Sequence, residues 1–270
     1  MASKTPHHVR SLLCLLLWAV ASATPALAQG AGDSTLAVGG KSRTYLIGLT
    51  HTNILDTYLS QEKASGPELR YVFEKEQRRD SARVSFTFMH QAFITSADTR
   101  GNDNSMLSGM YNLNLGWHYN WWPAPGLRIR AGAVVDATLG GLYNTRNSNN
   151  PAQARAALAL APAAALVWHF RAGRMPMAIH YEVTSPLIGA AFSPNYGQSY
   201  YEIFSQGNYD HNIVCTSPGN ALQLFQTLAV DFRLWHTTFT VGYLGDIRQW
   251  RANSLKYHQY SHGIVVGWRL

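Results

Sequence analysis

The chain has 270 residues, with 22 lysines and arginines against 15 aspartates and glutamates, for a formal net charge of +7. The basic residues are scattered rather than gathered into a nucleic-acid footprint, and two cysteines are too few for a disulfide framework. Past the first thirty residues no stretch holds 18 unbroken apolar residues, which excludes a helical membrane protein but not a barrel, whose strands alternate.

The N-terminus reads as an export signal. Lys4 and Arg10 precede the apolar run "SLLCLLLWAVA" (Ser11 to Ala21), and Ala26-Leu27-Ala28 offers a small-x-small site with cleavage after Ala28. The run is too short for a spanning helix, and "SLLC" lacks the small residue that a lipoprotein site at Cys14 needs. Removing Lys4 and Arg10 takes two of the 22 basic residues against 15 acidic ones, leaving +5. Only Cys215 then remains, so no internal disulfide can form. Residues 1–28 are expected to be the signal peptide, 29–42 a flexible tail, and 43–270 one barrel domain.

From Arg43 onward a period of two recurs. In Leu113-Leu115-Trp117-Tyr119-Trp121 the odd positions are apolar or aromatic, while the even ones are Asn112, Asn114, Gly116, His118 and Asn120. Leu127, Ile129, Ala131, Ala133 and Val135 alternate in the same way with Arg128, Arg130, Gly132 and Asp136. Side chains two apart share a face, so such strands have one apolar and one polar or small face. Ten strands are predicted, at 43–54, 67–78, 81–96, 105–122, 127–142, 153–171, 176–187, 220–235, 238–250 and 256–270. Short turns fall at Arg78-Arg79-Asp80, Pro123 to Gly126, Ala172 to Pro176 and His236-Thr237. Longer loops fall at Leu55 to Gly66, Ala97 to Asn104, Tyr143 to Ala152, Leu187 to Gly219 and Trp250 to Leu255. Short turns alternating with long loops and an even strand count are the pattern of an all-β, transmembrane, antiparallel up-and-down barrel. A hairpin hidden in the loop 187–219 would raise the count to twelve.

Two registers can be written down in advance. Trp235 and Thr238 flanking a turn would set Phe232 opposite Val241, Val230 opposite Tyr243, Arg233 opposite Thr240 and Asp231 opposite Gly242. Trp121 opposite Leu127 would set His118 against Arg130 and Asn112 against Asp136. The aromatic residues Trp117, Tyr119, Trp121, Trp168 and Trp268 fall on the apolar face and are expected to anchor the barrel at the membrane interface.

The opposite face collects the charges: His118, Arg128, Arg130, Asp136, His180, Glu182, Asp231, Arg233, Asp246 and Arg248. In a narrow barrel these must pair, since an unpaired buried ion costs several kcal/mol. They could form a salt-bridged plug, or a polar cavity whose arginine forks take an anionic head group. No catalytic motif stands out. Ser261 and His262 in "YSHG" point to opposite faces; Asp210-His211 has no matching aspartate pair; His180 and Glu182 share a face, which suits acid–base work or an ion pair. With no Cys-x-x-Cys or His-Glu-x-x-His, neither metal nor cofactor is expected. The segment Phe192 to Asn220 mixes tyrosines and phenylalanines with turn formers, and suits either a cap on the barrel or contact with a protein or glycan partner.

The blocks "NILDTYLS", "GWHYNWWPAPGLRIRAG", "LYNTRNSNNPAQARA", "FSPNYGQSYYEIFSQGNYDHNIV" and "GYLGDIRQWRANSLKYHQYSHG" resemble a family of Bacteroidota proteins known only as a domain of unknown function and taken to be outer-membrane β-barrels. The resemblance runs from about Tyr45 to the C-terminus and implies location and architecture, but no catalytic residue. The combined expectation is an exported outer-membrane barrel in contact with outer-membrane lipid. Its role would be non-enzymatic, as a structural, accessory or surface-binding protein. The alternatives are a barrel enzyme acting on lipid or lipopolysaccharide, and a narrow channel.

Overall fold

The computed structural model describes residues 40–79, 82–101, 104–147, 150–234 and 237–270. The expected signal peptide and most of the expected tail lie outside them, as do Asp80 and His236 of two expected turns. Among the described residues the chain forms β1 (Lys41–Asp56), β2 (Ala64–Arg78), β3 (Val84–Thr99), β4 (Ser105–Ala124), β5 (Leu127–Asn144), β6 (Ala152–Ala172), β7 (Met175–Thr184), β8 (Ile188–Phe192), α1 (Tyr200–Phe204), β9 (Ile213–Thr216), β10 (Gln223–Leu234), β11 (Thr237–Ala252) and β12 (Leu255–Arg269). Each strand pairs antiparallel with its neighbour in sequence, apart from the inserted segment 185–222. β1 also pairs with β12 along its length, Tyr45 meeting Trp268 and Asp56 meeting Tyr257. That last ladder closes a ten-stranded barrel.

Alternation drives the folding of the wall. In β1 and β4 buried and exposed residues alternate almost without exception, so a one-residue slip would turn every charge outward. The pairing that leaves β1 at Thr52 towards Ser261 returns, after one circuit, from Arg78 to Gly40, twelve residues lower. Such a stagger tilts the strands by about 40° to the barrel axis and leaves a bore that side chains can fill.

β8 and β9 do not add staves to the wall. Ser185 N–H donates to Pro162 O and Leu187 N–H to Leu160 O, so β8 continues the line of β7 along β6 past a short interruption. β9 likewise continues outward from β10, joined to it by the turn at Ser217 to Asn220. Pro162 explains the break. In an antiparallel pair both backbone groups of one residue face the same neighbour, so the missing N–H of Pro162 removes a ladder bond where β7 ends.

Both anticipated registers are displaced by two residues. Leu234 pairs with Thr237, and therefore Phe232 with Phe239, Val230 with Val241, Asp231 with Thr240 and Arg233 with Thr238. Moving the turn back by one residue shifts every pair by two and keeps each side chain on its face. At the other hairpin Ala124 pairs with Leu127 and a bulge separates Ala124 from Trp121, so His118 faces Gly132 and Asn112 faces Thr138. Gly126 takes φ +76° in the turn. A Cβ at Gly132 would fall 1.9 Å from Trp117 O, so only glycine lets β4 and β5 approach there. The expected loop Trp250 to Leu255 is instead a tight turn, with Asn253 (φ 51°) and Ser254 (φ 62°) both left-handed and Ala252 paired to Leu255. Both signs match a type I′ hairpin, a turn that Asn-Gly signals and Asn-Ser conceals.

The exterior is apolar across the middle of the wall, with Ile47, Leu49, Leu69, Ile94, Val135, Leu139, Leu158, Leu228, Val241, Ile264 and Val266 exposed. At the short-turn end it becomes aromatic. Trp117, Trp121 and Trp268 stand exposed there. Trp117 packs on Phe86 at 5.4 Å, Tyr119 on Trp121 at 4.7 Å, Trp168 on Phe170 at 5.1 Å and Trp268 on Tyr45 at 5.5 Å. Towards the long-loop end it turns polar at the His51–His262 pair, 6.4 Å apart.

Candidate functional site

The bore holds two ionic layers separated and capped by apolar ones. The layer nearer the short turns is built on Arg130, which reaches Glu74 at 2.6 Å, Glu76 at 3.2 Å and Glu182 at 2.5 Å. Arg128 forks onto Glu76 through contacts of 2.7 and 2.9 Å. Beside them the Asp231 carboxylate accepts from Thr240 Oγ1 at 2.7 Å, and His180 Nε2 and Arg269 Nε each lie 2.7 Å from it. His118 meets Thr87 Oγ1 through Nδ1 at 3.2 Å. Arg233 lies half-buried near the same end. His180 and Glu182 thus share a face without pairing, each engaged by a different partner.

Leu46, Val72, Met89, Leu244 and Val265 form an apolar ring above this layer. The second ionic layer follows. Arg70 bridges Glu68 (2.7 Å) and Asp246 (2.6 Å), and Arg248 reaches Asp246 at 3.0 Å. Thr50 and Ser261 hydroxyls donate to the Glu68 carboxylate at 2.8 and 2.7 Å. Both guanidiniums lie against the Phe93 ring, at 4.5 and 5.6 Å. Asp136 sits alongside, accepting from Asn112 Nδ2 at 2.9 Å. Above, Ile54, Leu59, Phe93, Ala97, Met106, Leu142, Trp250 and Tyr257 close the mouth as a hydrophobic cluster. Within it Arg155 pairs with Asp56 and lies 4.1 Å over Tyr257.

Burying each of these ions alone would cost several kcal/mol; mutual pairing and hydrogen bonding offset that cost only when the geometry is good. The forks of Arg128, Arg130 and Arg248 are all taken by carboxylates of the chain itself. An anionic head group would have to displace one of them. Small cavities of about 20 and 30 Å³ lie among these side chains, each room for a water or so.

Sequence reasoning missed the other half of this network: Asp56, Glu68, Arg70, Glu74, Glu76, Arg155 and Arg269. For β2 the signal was present, because Glu68, Arg70, Glu74 and Glu76 alternate with Leu69, Tyr71 and Phe73. Asp56 was hidden by its position at a strand end, and Arg155 by the alanine run around it.

The long insertion folds over the mouth. α1 begins with a capping box in which the Ser199 hydroxyl accepts from Glu202 N–H, and Glu202 accepts from Ser199 N–H at 2.7 Å. Donation from the Ser199 N–H, and from its hydroxyl, holds the Glu202 carboxyl below the usual carboxylate range. Tyr58 donates to Gln198 O at 2.8 Å, and burial pushes its hydroxyl up to about 12. Asn253 Nδ2 donates to Ser193 O and His211 O, both at 2.9 Å, tying the insertion to the β11–β12 turn. Ile203 is fully buried beneath it. Tyr196, Tyr201, Phe204 and Tyr209 point out, each 62–70 % exposed. Asp210 and His211 contact each other at 2.7 Å in open solvent, and Ser261 is buried while His262 is exposed.

A family model described as "Protein of unknown function (DUF3316)" matches residues 10–269. The chain belongs to this family. No curated protein matches it by sequence. Among solved structures, the outer membrane protease OmpT of Escherichia coli is similar at 8 % identity and TM-score 0.44, covering 89 % of this chain and 99 % of that one. The transport unit of the Escherichia coli autotransporter AIDA-I is similar at 6 % identity and TM-score 0.46, covering 88 % and 92 %. The attachment invasion locus protein Ail of Yersinia pestis is similar at 9 % identity and TM-score 0.28, covering 86 % and 100 %. At these values the likenesses carry neither activity nor partner to the family member described here.

Proposed function

We propose that this protein is an exported outer-membrane barrel that acts without catalysis, as a surface-binding module whose folded cap presents aromatic side chains to an extracellular glycan. The apolar exterior, with an aromatic belt at its short-turn end, supports lipid on the outside and the short turns in the periplasm. The single observation that carries the binding role is the cap. It is pinned to three separate parts of the rim, yet leaves Tyr196, Tyr201, Phe204 and Tyr209 open. Aromatic rings already held in place lose little entropy when they stack on sugar faces. The occupied arginine forks argue against a head-group enzyme.

The refolded protein, applied to an array of bacterial envelope glycans, is expected to bind a defined subset. Tyr201→Ala and Phe204→Ala should each weaken that binding about tenfold, the equivalent of roughly 1.4 kcal/mol. Absence of binding on the whole array, or binding by both variants as tight as that of the parent, would overturn the reading. Retention of a peptide ligand alone would replace the glycan with a protein partner.

A further inference from the structure

The outward face of the barrel does not turn polar at the same level all the way round. On β4 and β5 its side chains stay apolar or aromatic to the long-loop ends of the strands, through Tyr111 and Leu107 on one and Leu139 and Tyr143 on the other. On β12 and β1 the apolar run stops earlier, at Ile264 and Leu49, 64 % and 73 % exposed. The next outward rungs are His262 with His51, Tyr260 with Asn53, and His258 with Leu55. β11 extends the polar sector, setting Gln249 beside His258 and Arg251 beside Lys256. On the other flank Lys63 immediately precedes Ala64, the partner of Ile54, and its charge bears on His258.

The sector is rich in donors and short of anions. Arg251, Lys256 and Lys63 are exposed and make no ion pair among the described residues. Even counted with the exposed Glu62 of the same loop, three cations stand against one anion. The His51 and His262 rings lie 6.4 Å apart, and neither ring nitrogen has a hydrogen-bond partner among the described residues. A neutral imidazole still offers one N–H, and a protonated one two. The rungs between are tied to one another. His258 stacks on Tyr260 at 4.7 Å and meets Asn53 Oδ1 at 3.2 Å, and Gln249 Nε2 donates to the Tyr260 hydroxyl. Side chains already tied in place lose little freedom when a ligand arrives. Unpaired cations just beyond the lipid-facing Leu49 and Ile264 suit an anion that is itself part of the membrane.

We propose that the outward face of β11, β12 and β1 holds the phosphorylated saccharide head of an outer-leaflet glycolipid. Arg251, Lys256 and Lys63 take a phosphate, through charge-assisted hydrogen bonds. The His51, His262 and His258 rings and the Tyr260 hydroxyl meet the sugar, and the acyl chains run down over Ile264 and Leu49. The site rests on the membrane placement proposed above, with the long loops outside, and is separate from the open aromatic side chains of the cap.

The test titrates the refolded protein in zwitterionic micelles with bisphosphorylated lipid A and follows the bound lipid by native mass spectrometry. Lipid A should be retained in a saturable way, and lipid A stripped of its phosphates should bind about tenfold more weakly or worse. Lys63→Gln, Arg251→Gln and Lys256→Gln combined should weaken lipid A by a similar factor. Arg174→Gln, in the short turn at the opposite end, should bind like the parent. Equal binding of the two lipid A forms, or a triple variant that binds lipid A like its parent, would overturn the proposal. So would displacement of lipid A by equimolar inorganic phosphate, which would make a free anion the ligand. Flotation with phosphatidylcholine vesicles reads the membrane placement separately. Protein that fails to float contradicts that placement, whereas protein that floats yet ignores lipid A contradicts this site alone.

Discussion

Arg130 shows how tightly the bore is specified. Three carboxylates converge on one guanidinium, and they come from β2 and β7 while the arginine is on β5. Replacing it by methionine keeps volume but leaves Glu74, Glu76 and Glu182 facing one another. The expected loss is about 3–5 kcal/mol of unfolding free energy, read from urea titrations of the refolded barrel in phospholipid micelles by tryptophan fluorescence. A loss below about 1 kcal/mol would mean that these carboxylates are solvated, as at a surface pair. At this scale alternation identifies which residues point inward, since His118, Arg128, Arg130, Asp136 and Asp246 all do. It does not identify who meets whom. Arg128 finds Glu76 on the far side of the bore, and only the stagger of the whole wall decides that encounter.

Single elements tell a similar story. β6 is rich in alanine and contains Pro162, both unfavourable for a central strand, yet it runs from Ala152 to Ala172. Tertiary pairing with β5 along nearly its whole length overrides propensity, and the proline falls where the β7 ladder is interrupted. The displaced hairpin registers come from turns whose chemistry is only weakly written, with faces preserved because the displacement is two residues. The Asn253–Ser254 turn makes this testable. Ser254 holds φ 62°, a conformation that costs a non-glycine residue about 1–2 kcal/mol. Ser254→Gly is expected to stabilise the barrel by about 1 kcal/mol, partly offset by glycine's freedom when unfolded. Destabilisation in the same urea titration would contradict a type I′ turn there.

Across the whole molecule, one pattern of period two produces two surfaces with different tasks. The outward stripe gives an apolar band, edged by Trp117, Trp121, Trp168 and Trp268, that a bilayer can cover. The inward stripe gives alternating ionic and apolar layers that fill the bore. The barrel and its ten staves were legible in the sequence because closure needs only the count and the alternation. The layering was not, because it depends on a twelve-residue climb around the wall that no local window contains. The cap was half legible: its aromatic content was plain, but α1 and its fastening to Tyr58 and Asn253 depend on residues distant in sequence.

The central claim is a lipid-covered barrel whose bore is closed by its own side chains. Planar-bilayer recording tests it most directly, using protein from vesicles in which flotation and protease protection have verified insertion. A closed bore predicts current indistinguishable from the bare bilayer under an applied potential. Reproducible single-channel steps from the inserted protein would contradict it.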